Sequence, residues 1–226
     1  MEKERFDLVE KYMLACMEDS AHDREHVYRV LHTALQIAKS EAEVDLDVLA
    51  CACLLHDIGR KEQFENPGLC HAMVGGEKAF VFLKQNGFSE FFAQQVKHCV
   101  QTHRFRKSMQ PESLEAQILF DADKLDAAGA MGIARTLLYA GQVSAPLYSR
   151  NESGEILDGT GESVPSFFRE YKYKLEKLYD RFYTKAGREL ALARRQAAVD
   201  FYNAMLLEAR ESHAAGEEMM KKLFRK

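Results

Sequence analysis

Eight consecutive apolar residues, Val48 to Leu55, leave few folds open to this chain. Together with Leu46 they predict a helix over residues 46–55 that is apolar on nearly every face, and such a helix lies buried at the centre of a domain. The run ends at His56 and Asp57, two groups that are costly to bury without a partner. A divalent cation suits an imidazole and a carboxylate at once, so this end of the helix is the first candidate for a functional site.

Apolar residues recur at helical spacing along almost the whole chain, and no alternating stretch is long enough to predict a strand. Residues 142–165 are rich in Gly, Ser, Asn and Asp without periodicity, which predicts a long loop of the kind that forms lids or is disordered. The sequence therefore predicts an all-α protein that is a single domain over residues 1–226, with core motifs at about 20–140 and C-terminal helices at 166–212. The predicted helices cover residues 6–17, 27–38, 46–55, 73–85, 89–102, 114–140, 167–183 and 185–210, with Asp23 as an N-cap and Gly141 as a C-cap.

Composition narrows the classes of partner. The net charge of −4 argues against nucleic acid, because binding to a phosphate backbone usually needs a basic excess, but it leaves open a small phosphorylated substrate. Five cysteines without a metal-ligand spacing predict free thiols in a reducing compartment. The N-terminus lacks a signal-peptide pattern, and no apolar run approaches the roughly 20 residues that span a bilayer. We therefore expect a cytoplasmic protein without a membrane partner, and the oligomeric state is not predicted.

Further histidines fall in segments that read as helical. His22 and His26 stand four apart, on one helical face, but their order is not that of an HExxH zinc protease. His98 and His103 stand five apart at the end of another predicted helix. An isolated histidine is usually a satisfied core or surface group, so the case rests on the combination. The basic residues that follow His103 are a weak nucleic-acid patch and a better phosphate clamp: Arg104, Arg106 and Lys107.

Two carboxylates, Asp121 and Asp123, stand between apolar residues. Acidic groups at the start of a helix complement its dipole, which is a sufficient structural explanation for them. The apolar flanks indicate burial, however, and buried carboxylates without a cation would be strongly destabilising. These two residues are therefore candidates for completing a metal site.

The order of His26, then His56 and Asp57, then Asp123 resembles that of the HD superfamily of metal-dependent phosphohydrolases. The block from Asp121 to Arg135 closely resembles the corresponding block of a bacterial HD-hydrolase subgroup. The resemblance covers residues 20–210 and implies the helical HD-domain fold. It implies four metal ligands: His26, His56, Asp57 and Asp123. Asp121 is the alternative last ligand, or a carboxylate that orients a ligand histidine.

The same resemblance implies roles for other side chains. The sequence departs from the family at Lys124, where arginine is commoner, and it lacks a glutamate three residues after Asp57. That absence puts nucleotidase and guanosine-tetraphosphate hydrolase activities in doubt. The expected catalytic residues are Asp57, Arg60, His103 and Lys124, of which the last three neutralise charge on phosphate oxygens. The expected substrate-binding residues are Arg60, His71, His98, His103, Arg106, Lys124 and Lys174.

Two imidazoles and two carboxylates suit a borderline or moderately hard ion, and Mn²⁺ is our first choice, with Mg²⁺, Ni²⁺, Fe²⁺, Co²⁺ and Zn²⁺ as alternatives. The ion would lower the pKa of a bound water from about 15.7 toward 7. We predict hydrolysis of a phosphoester or phosphoanhydride of a nucleotide, in its specific form the conversion of a nucleoside triphosphate to the monophosphate and pyrophosphate. One alternative is a two-metal phosphodiesterase in which His71 and His98 are also ligands. The other is a non-catalytic helical protein that binds nucleotides or stores metal.

Overall fold

The computed structural model describes residues 1–17, 24–104 and 109–224. These residues form helices joined by turns and loops and contain no strand, although Arg150 and Ile156 form an isolated bridge. The prediction of an all-α fold is confirmed. The α-helices are α1 (Lys3–Met17), α2 (Arg24–Ala38), α3 (Leu46–Leu55), α4 (Arg60–Glu65), α5 (His71–Gln85), α6 (Glu90–Thr102), α7 (Leu114–Leu125), α8 (Gly129–Gln142), α9 (Phe167–Glu170) and α10 (Lys185–Leu223).

The chain divides into two compact units, and the prediction of one domain over residues 1–226 stays a prediction. The first unit comprises Met1–Asp126 and Phe182–Arg188, and the second comprises Ala127–Arg181 and Glu189–Lys226. Within the described residues, no helix is both long and apolar enough to cross a bilayer.

Helix α3 is the centre of the first unit. Asp45 caps its N-terminus by accepting from the backbone N–H groups of Asp47 and Val48, and Val48–Leu55 are buried on every side. Helices α1, α2, α6 and α7 all pack against it, as an apolar helix in the middle of a bundle requires. Candidate site residues at the ends of α3 and α6 and on the facing turns of α2 and α7 are thereby brought to one place.

The turn after α3 and the first turn of α5 approach closely at Gly59. A Cβ atom at this position would lie 2.3 Å from the backbone oxygen of His71 and 2.7 Å from the backbone nitrogen of Gly75. Any side chain would therefore push the two backbones apart. Gly59 also precedes α4, a short helix that the periodicity does not predict. The contact places His71, the first residue of α5, beside the His56–Asp57 turn.

The prediction of one helix over residues 114–140 is wrong. Helix α7 ends at Leu125 because Asp126, its C-cap residue, directs its side chain to His26 and Arg29. Helix α8 then starts at Gly129, which has a positive φ of 66°. Gly141 lies inside α8 rather than capping it, and the chain leaves the helix at Val143. The predicted N-cap, Asp23, lies outside the described residues.

The predicted loop over residues 142–165 belongs to the second unit and is held by hydrogen bonds. Tyr202 donates its hydroxyl to the backbone oxygen of Asp158 (2.6 Å), and Arg210 donates to that of Ile156 (3.3 Å). The predicted helix over 167–183 is broken, since α9 continues as a π-helical turn at Tyr171–Leu175 and a 3₁₀ turn at Leu178–Asp180. Helix α10 extends well beyond its predicted end at residue 210.

Candidate metal centre

The backbone fixes the tautomers of two histidines at helix ends. Nδ1 of His56 lies 2.7 Å from the backbone oxygen of Cys53, and Nδ1 of His103 lies 2.6 Å from that of Val100. A carbonyl oxygen only accepts hydrogen bonds, so each Nδ1 carries the proton. In the neutral imidazoles, Nε2 is then a bare lone pair. Both lone pairs are buried and available to bind a cation.

His26, His56 and Asp123 bring one ligand atom each to a common position, and we call them the first set. Nε2 of His26 lies 3.3 Å from Nε2 of His56 and 3.2 Å from Oδ1 of Asp123. Helices α2 and α7 supply His26 and Asp123 from facing turns, and α3 supplies His56 at its C-cap. Two imidazole nitrogens and a carboxylate oxygen at these separations match the donor types of a divalent transition-metal site.

Asp57, His71 and His103 form a second group of the same kind, which we call the second set. Oδ1 of Asp57 lies 3.4 Å from Nε2 of His71 and 3.7 Å from Nε2 of His103. The two imidazole nitrogens lie 3.3 Å apart. Each set thus contains two histidines and one aspartate.

Asp57 joins the two sets because its two oxygens face different histidines. Oδ2 lies 3.7 Å from Nε2 of His26 and 3.6 Å from Nε2 of His56, both in the first set. Oδ1 faces the second set and also accepts a hydrogen bond from Nε of Arg60 at 2.9 Å. The four predicted metal ligands, His26, His56, Asp57 and Asp123, therefore lie together, and whether they act as ligands stays a prediction.

His26 is oriented from behind by Asp126 rather than by Asp121. Nδ1 of His26 lies 2.7 Å from Oδ2 of Asp126, and Arg29 binds the same carboxylate through Nε (2.8 Å) and Nη2 (3.1 Å). Asp121 is also buried, but it accepts hydrogen bonds from the backbone nitrogens of Tyr183 and Thr184 and from the Thr184 hydroxyl. The proposed role of Asp121 as an orienting carboxylate is therefore wrong, because its oxygens bind the start of α10.

The first set favours positive charge. Burial opposes a charged His26, but hydrogen bonds with Asp123 and Asp126 outweigh it and raise the pKa of His26 to about 9. Burial also opposes a charged Asp123, yet the hydrogen bond from His26 and the nearby imidazoles hold the pKa of Asp123 well below its usual range.

The second set disfavours positive charge on its imidazoles. Burial, followed by the charge of Arg60, lowers the pKa of His71 to about 2. Burial and the neighbouring His56 lower the pKa of His103 to about 4. Both shifts favour the neutral imidazole, whose Nε2 lone pair can accept a proton or bind a cation. The role of His103 in neutralising phosphate charge stays a prediction.

A divalent cation fits this arrangement. Because Nδ1 of His56 and of His103 donates to the backbone, the neutral form of each ring carries its lone pair on Nε2, and these atoms face the carboxylates of Asp57 and Asp123 across distances of a few ångströms. Lone pairs and carboxylate charges held this close repel one another unless a cation lies among them. The mixture of nitrogen and oxygen donors suits several divalent ions and does not choose between them.

The remaining predicted substrate residues fall in different places. Arg60 lies at the centre through its contact with Asp57. His98 is in neither set, because five residues of helix turn it about 140° away from His103. The Lys124 ammonium lies 4.0 Å from the centre of the Phe120 ring. Lys174 belongs to the second unit, where it pairs with Glu170, and Arg106 lies outside the described residues.

Sequence reasoning missed three side chains of this centre, Asp126, Arg29 and Gln63, whereas Arg104 was predicted as part of a phosphate clamp. Asp126 and Arg29 hold His26, and Arg29 follows His26 by three residues, which places both on one face of α2. Gln63 accepts from Nδ1 of His71 at 2.5 Å, and Arg104 approaches the same nitrogen at 3.4 Å. The first pair carries a signal in its spacing, whereas the second pair depends on the approach of α4 and α6 to α5.

The fold and the centre agree with the comparison of this chain with known proteins. The model of the HD domain family matches residues 24–128, which contain both sets. The chain belongs to the HD domain family. It is 30% identical to the uncharacterized protein YpgQ of Bacillus subtilis (strain 168) over 188 residues, which are 81% of this chain and 82% of that protein.

Two crystal structures extend the comparison. The structure of Bacillus subtilis YpgQ in complex with ADP is 25% identical, covers 91% of this chain and 95% of its own, and superimposes with a TM-score of 0.70. The structure of an HD-superfamily hydrolase from Bacillus thuringiensis is 26% identical, covers 92% of this chain and 98% of its own, and has a TM-score of 0.70.

Proposed function

We propose that this protein is a divalent-metal-dependent phosphohydrolase that cleaves a phosphoester or phosphoanhydride of a nucleotide. The observation that carries the proposal is the convergence of His26, His56, Asp57 and Asp123 with their lone pairs and charges directed at one another. Burying two imidazoles and two carboxylates together costs free energy, so packing of the core alone does not explain why they converge. The membership of the HD domain family supports the same conclusion.

The choice of a nucleotide has two supports. The relative YpgQ has been crystallised in complex with ADP. In this chain, the guanidinium groups of Arg60 and Arg104 both approach the second set, and guanidinium groups match the geometry of phosphate oxygens. Conversion of a nucleoside triphosphate to the monophosphate and pyrophosphate, with Mn²⁺ as the ion and the cytoplasm as the compartment, is the specific form of the proposal.

We assign the candidate site residues to three roles: binding the ion, binding phosphate oxygens and accepting a proton. His26, His56, Asp57 and Asp123 would hold the ion, which supplies Lewis acidity and a nucleophile at neutral pH when it is bound. Arg60 is fixed to Asp57 through Nε, and we assign its terminal nitrogens to phosphate oxygens, with Lys124 as a further cation. His103 is neutral and keeps its Nδ1 proton on the backbone, so we assign Nε2 as the acceptor of a proton from the attacking water.

The test is product release from a panel of nucleoside mono-, di- and triphosphates by the Mn²⁺-loaded protein. We expect turnover that is abolished in His56→Ala and retained in His32→Ala, a matched control at an exposed histidine of α2. Pyrophosphate as the product identifies cleavage after the first phosphate, whereas orthophosphate identifies cleavage at the end of the chain. No turnover on any nucleotide while Mn²⁺ remains bound would contradict the proposal and favour a nucleotide-binding role.

The second set supports one alternative. Asp57 faces both groups of histidines, as a carboxylate shared by two metal ions would. A two-metal phosphodiesterase would therefore use Asp57, His71 and His103, with His103 in the place that the sequence gives to His98. Cyclic and linear dinucleotides belong in the same panel, and turnover confined to them would favour the diesterase.

A further inference from the structure

The two sets differ in the charge available to a cation. A cation in the first set would meet Asp123 and one oxygen of Asp57, whereas the carboxylate oxygen grouped with the histidines of the second set is the other oxygen of Asp57. The remaining members of the second set are the imidazoles of His71 and His103. Within the described residues, Asp57 is the one carboxylate of the second set, and it also faces the first set.

That single oxygen already has a cationic partner. Nε of Arg60 lies 2.9 Å from Oδ1 of Asp57, closer than the histidines of the second set at 3.4 and 3.7 Å. The side chain of Asp57 is 1% exposed and that of Arg60 is 28% exposed, so the guanidinium approaches the carboxylate from its solvent side. A second divalent ion at Oδ1 would have to displace the guanidinium or remain beside it against like-charge repulsion.

Arg104 adds positive charge without occupying the same place. Its Nη1 lies 3.4 Å from Nδ1 of His71, the ring nitrogen that faces away from Asp57. It therefore raises the local potential but leaves Oδ1 of Asp57 accessible. Arg60 is the residue whose contact decides whether that oxygen is available.

We propose that the guanidinium of Arg60 stands in for a second metal ion at Oδ1 of Asp57, so that this chain binds one divalent ion, in the first set. The inference rests on the proposed function, because it takes the first set to be a metal site. Removing the positive charge at position 60 releases a carboxylate oxygen and two imidazole lone pairs, which together make a second site.

The experiment counts ions rather than turnover. Metal-free wild type, Arg60→Gln, Arg60→Met and Arg60→Lys are titrated with Mn²⁺. Unbound Mn²⁺ is followed by its six-line electron paramagnetic resonance signal, and the bound metal is measured by atomic emission after gel filtration. We expect one ion per chain in the wild type and in Arg60→Lys, and two in both neutral variants. The double variant Arg60→Gln/His71→Ala returns to one, because it lacks a ligand of the second set.

Each outcome bears on the proposal. Two ions in the wild type, or one ion in both folded neutral variants, would overturn it, and two ions in Arg60→Lys would show that charge is not the cause. If circular dichroism shows that the neutral variants do not fold, the ion count of His71→Ala is the test. One bound ion in His71→Ala supports the proposal, and the loss of an ion from this variant would overturn it, because His71 does not belong to the first set. No ion in the wild type would instead overturn the metal-dependent function, and a failed nucleotide panel leaves the ion count unaffected.

Discussion

The first and second sets are built from the same residue types, yet they differ in what surrounds them. Around the first set, Asp57, Asp123 and Asp126 raise the pKa of His26 to about 9 after overcoming its burial. Around the second set, burial and the charge of Arg60 lower the pKa of His71 to about 2. A proton is the simplest cation, so these opposite shifts indicate opposite preferences for positive charge. Surroundings, more than ligand types, separate a cation site from a pair of neutral histidines.

The largest expected effect comes from Asp57, which the two sets share. Asp57→Asn keeps the shape of the side chain but removes the negative charge that faces both sets. We expect Mn²⁺ binding to weaken by more than the roughly 10–100-fold that is typical of residues behind a ligand, with loss of hydrolysis. Metal content after gel filtration checks this. Asp200→Asn, at an exposed aspartate of α10, is the control, and full metal content in Asp57→Asn would refute the assignment.

Asp126 and Asp121 test how the first set is held. Asp126→Asn removes the charge behind His26, and we expect Mn²⁺ affinity to fall by roughly 10–100-fold. Asp121→Asn places an amide against the N–H groups of Tyr183 and Thr184, so we expect a loss of about 1–3 kcal/mol in unfolding free energy with little change in Mn²⁺ affinity. Isothermal titration and urea denaturation of both variants measure the two quantities. Equal metal affinities in the two variants would contradict the distinction.

The backbone of the first set is predictable from local sequence. The apolar run gives α3 at its observed bounds, and a helix end at His56 follows from the change of character after Leu55. A helical periodicity is a local property, and burial on every side reinforces it. The convergence of α2, α3 and α7 is not local, and it was available only through the family resemblance.

The second set and the orienting carboxylate depend on contacts between distant segments. His71 reaches Asp57 because Gly59 lets α5 approach the turn, and spacing along the chain does not encode that distance. Asp126 follows the last residue of α7, and its side chain binds His26, which lies 100 residues earlier in the chain. The hydrophobic periodicity instead predicts that the helix continues through Asp126. For the same reason the sequence predicts Asp121 as the carboxylate that orients a ligand histidine, whereas Asp126 makes that contact and Asp121 binds Tyr183 and Thr184.

Gly59 allows the second set to be disturbed through the backbone. In Gly59→Ala the added Cβ would meet the backbone of His71 and Gly75, so we expect a loss of about 1–3 kcal/mol in unfolding free energy. Gly141→Ala is the matched control, because its Cβ meets nothing within 4 Å in the last turn of α8, and we expect it to stabilise by up to about 1 kcal/mol. Urea denaturation of the metal-free proteins measures both changes. An unchanged midpoint in Gly59→Ala would show that α5 can retreat without cost.

A last contrast between the two sets is the way in which their histidines make the stability depend on pH. The pKa of His26 is raised to about 9, so the stability it contributes is complete below an unfolded value near 6.5 and is lost as the pH rises through 9. The pKa values of His71 and His103 are lowered to about 2 and about 4, so their contribution is present above 6.5 and is lost as the pH falls. We therefore expect the metal-free protein to be most stable near pH 6.5. Between pH 6.5 and 9 the unfolding free energy should fall by up to about 1.4 kcal/mol per unit.

Urea denaturation in the presence of a chelator, at half-unit steps from pH 5 to 9, traces both limbs. In His26→Ala, the loss of stability above pH 6.5 should disappear and the loss below pH 6.5 should remain, because His26 is the histidine whose pKa is raised. His32→Ala, at an exposed histidine, should retain both limbs. If the unfolding free energy of the wild type is constant from pH 6.5 to 9, the carboxylates around His26 do not hold a proton on its ring. That result would contradict the contrast between the two sets.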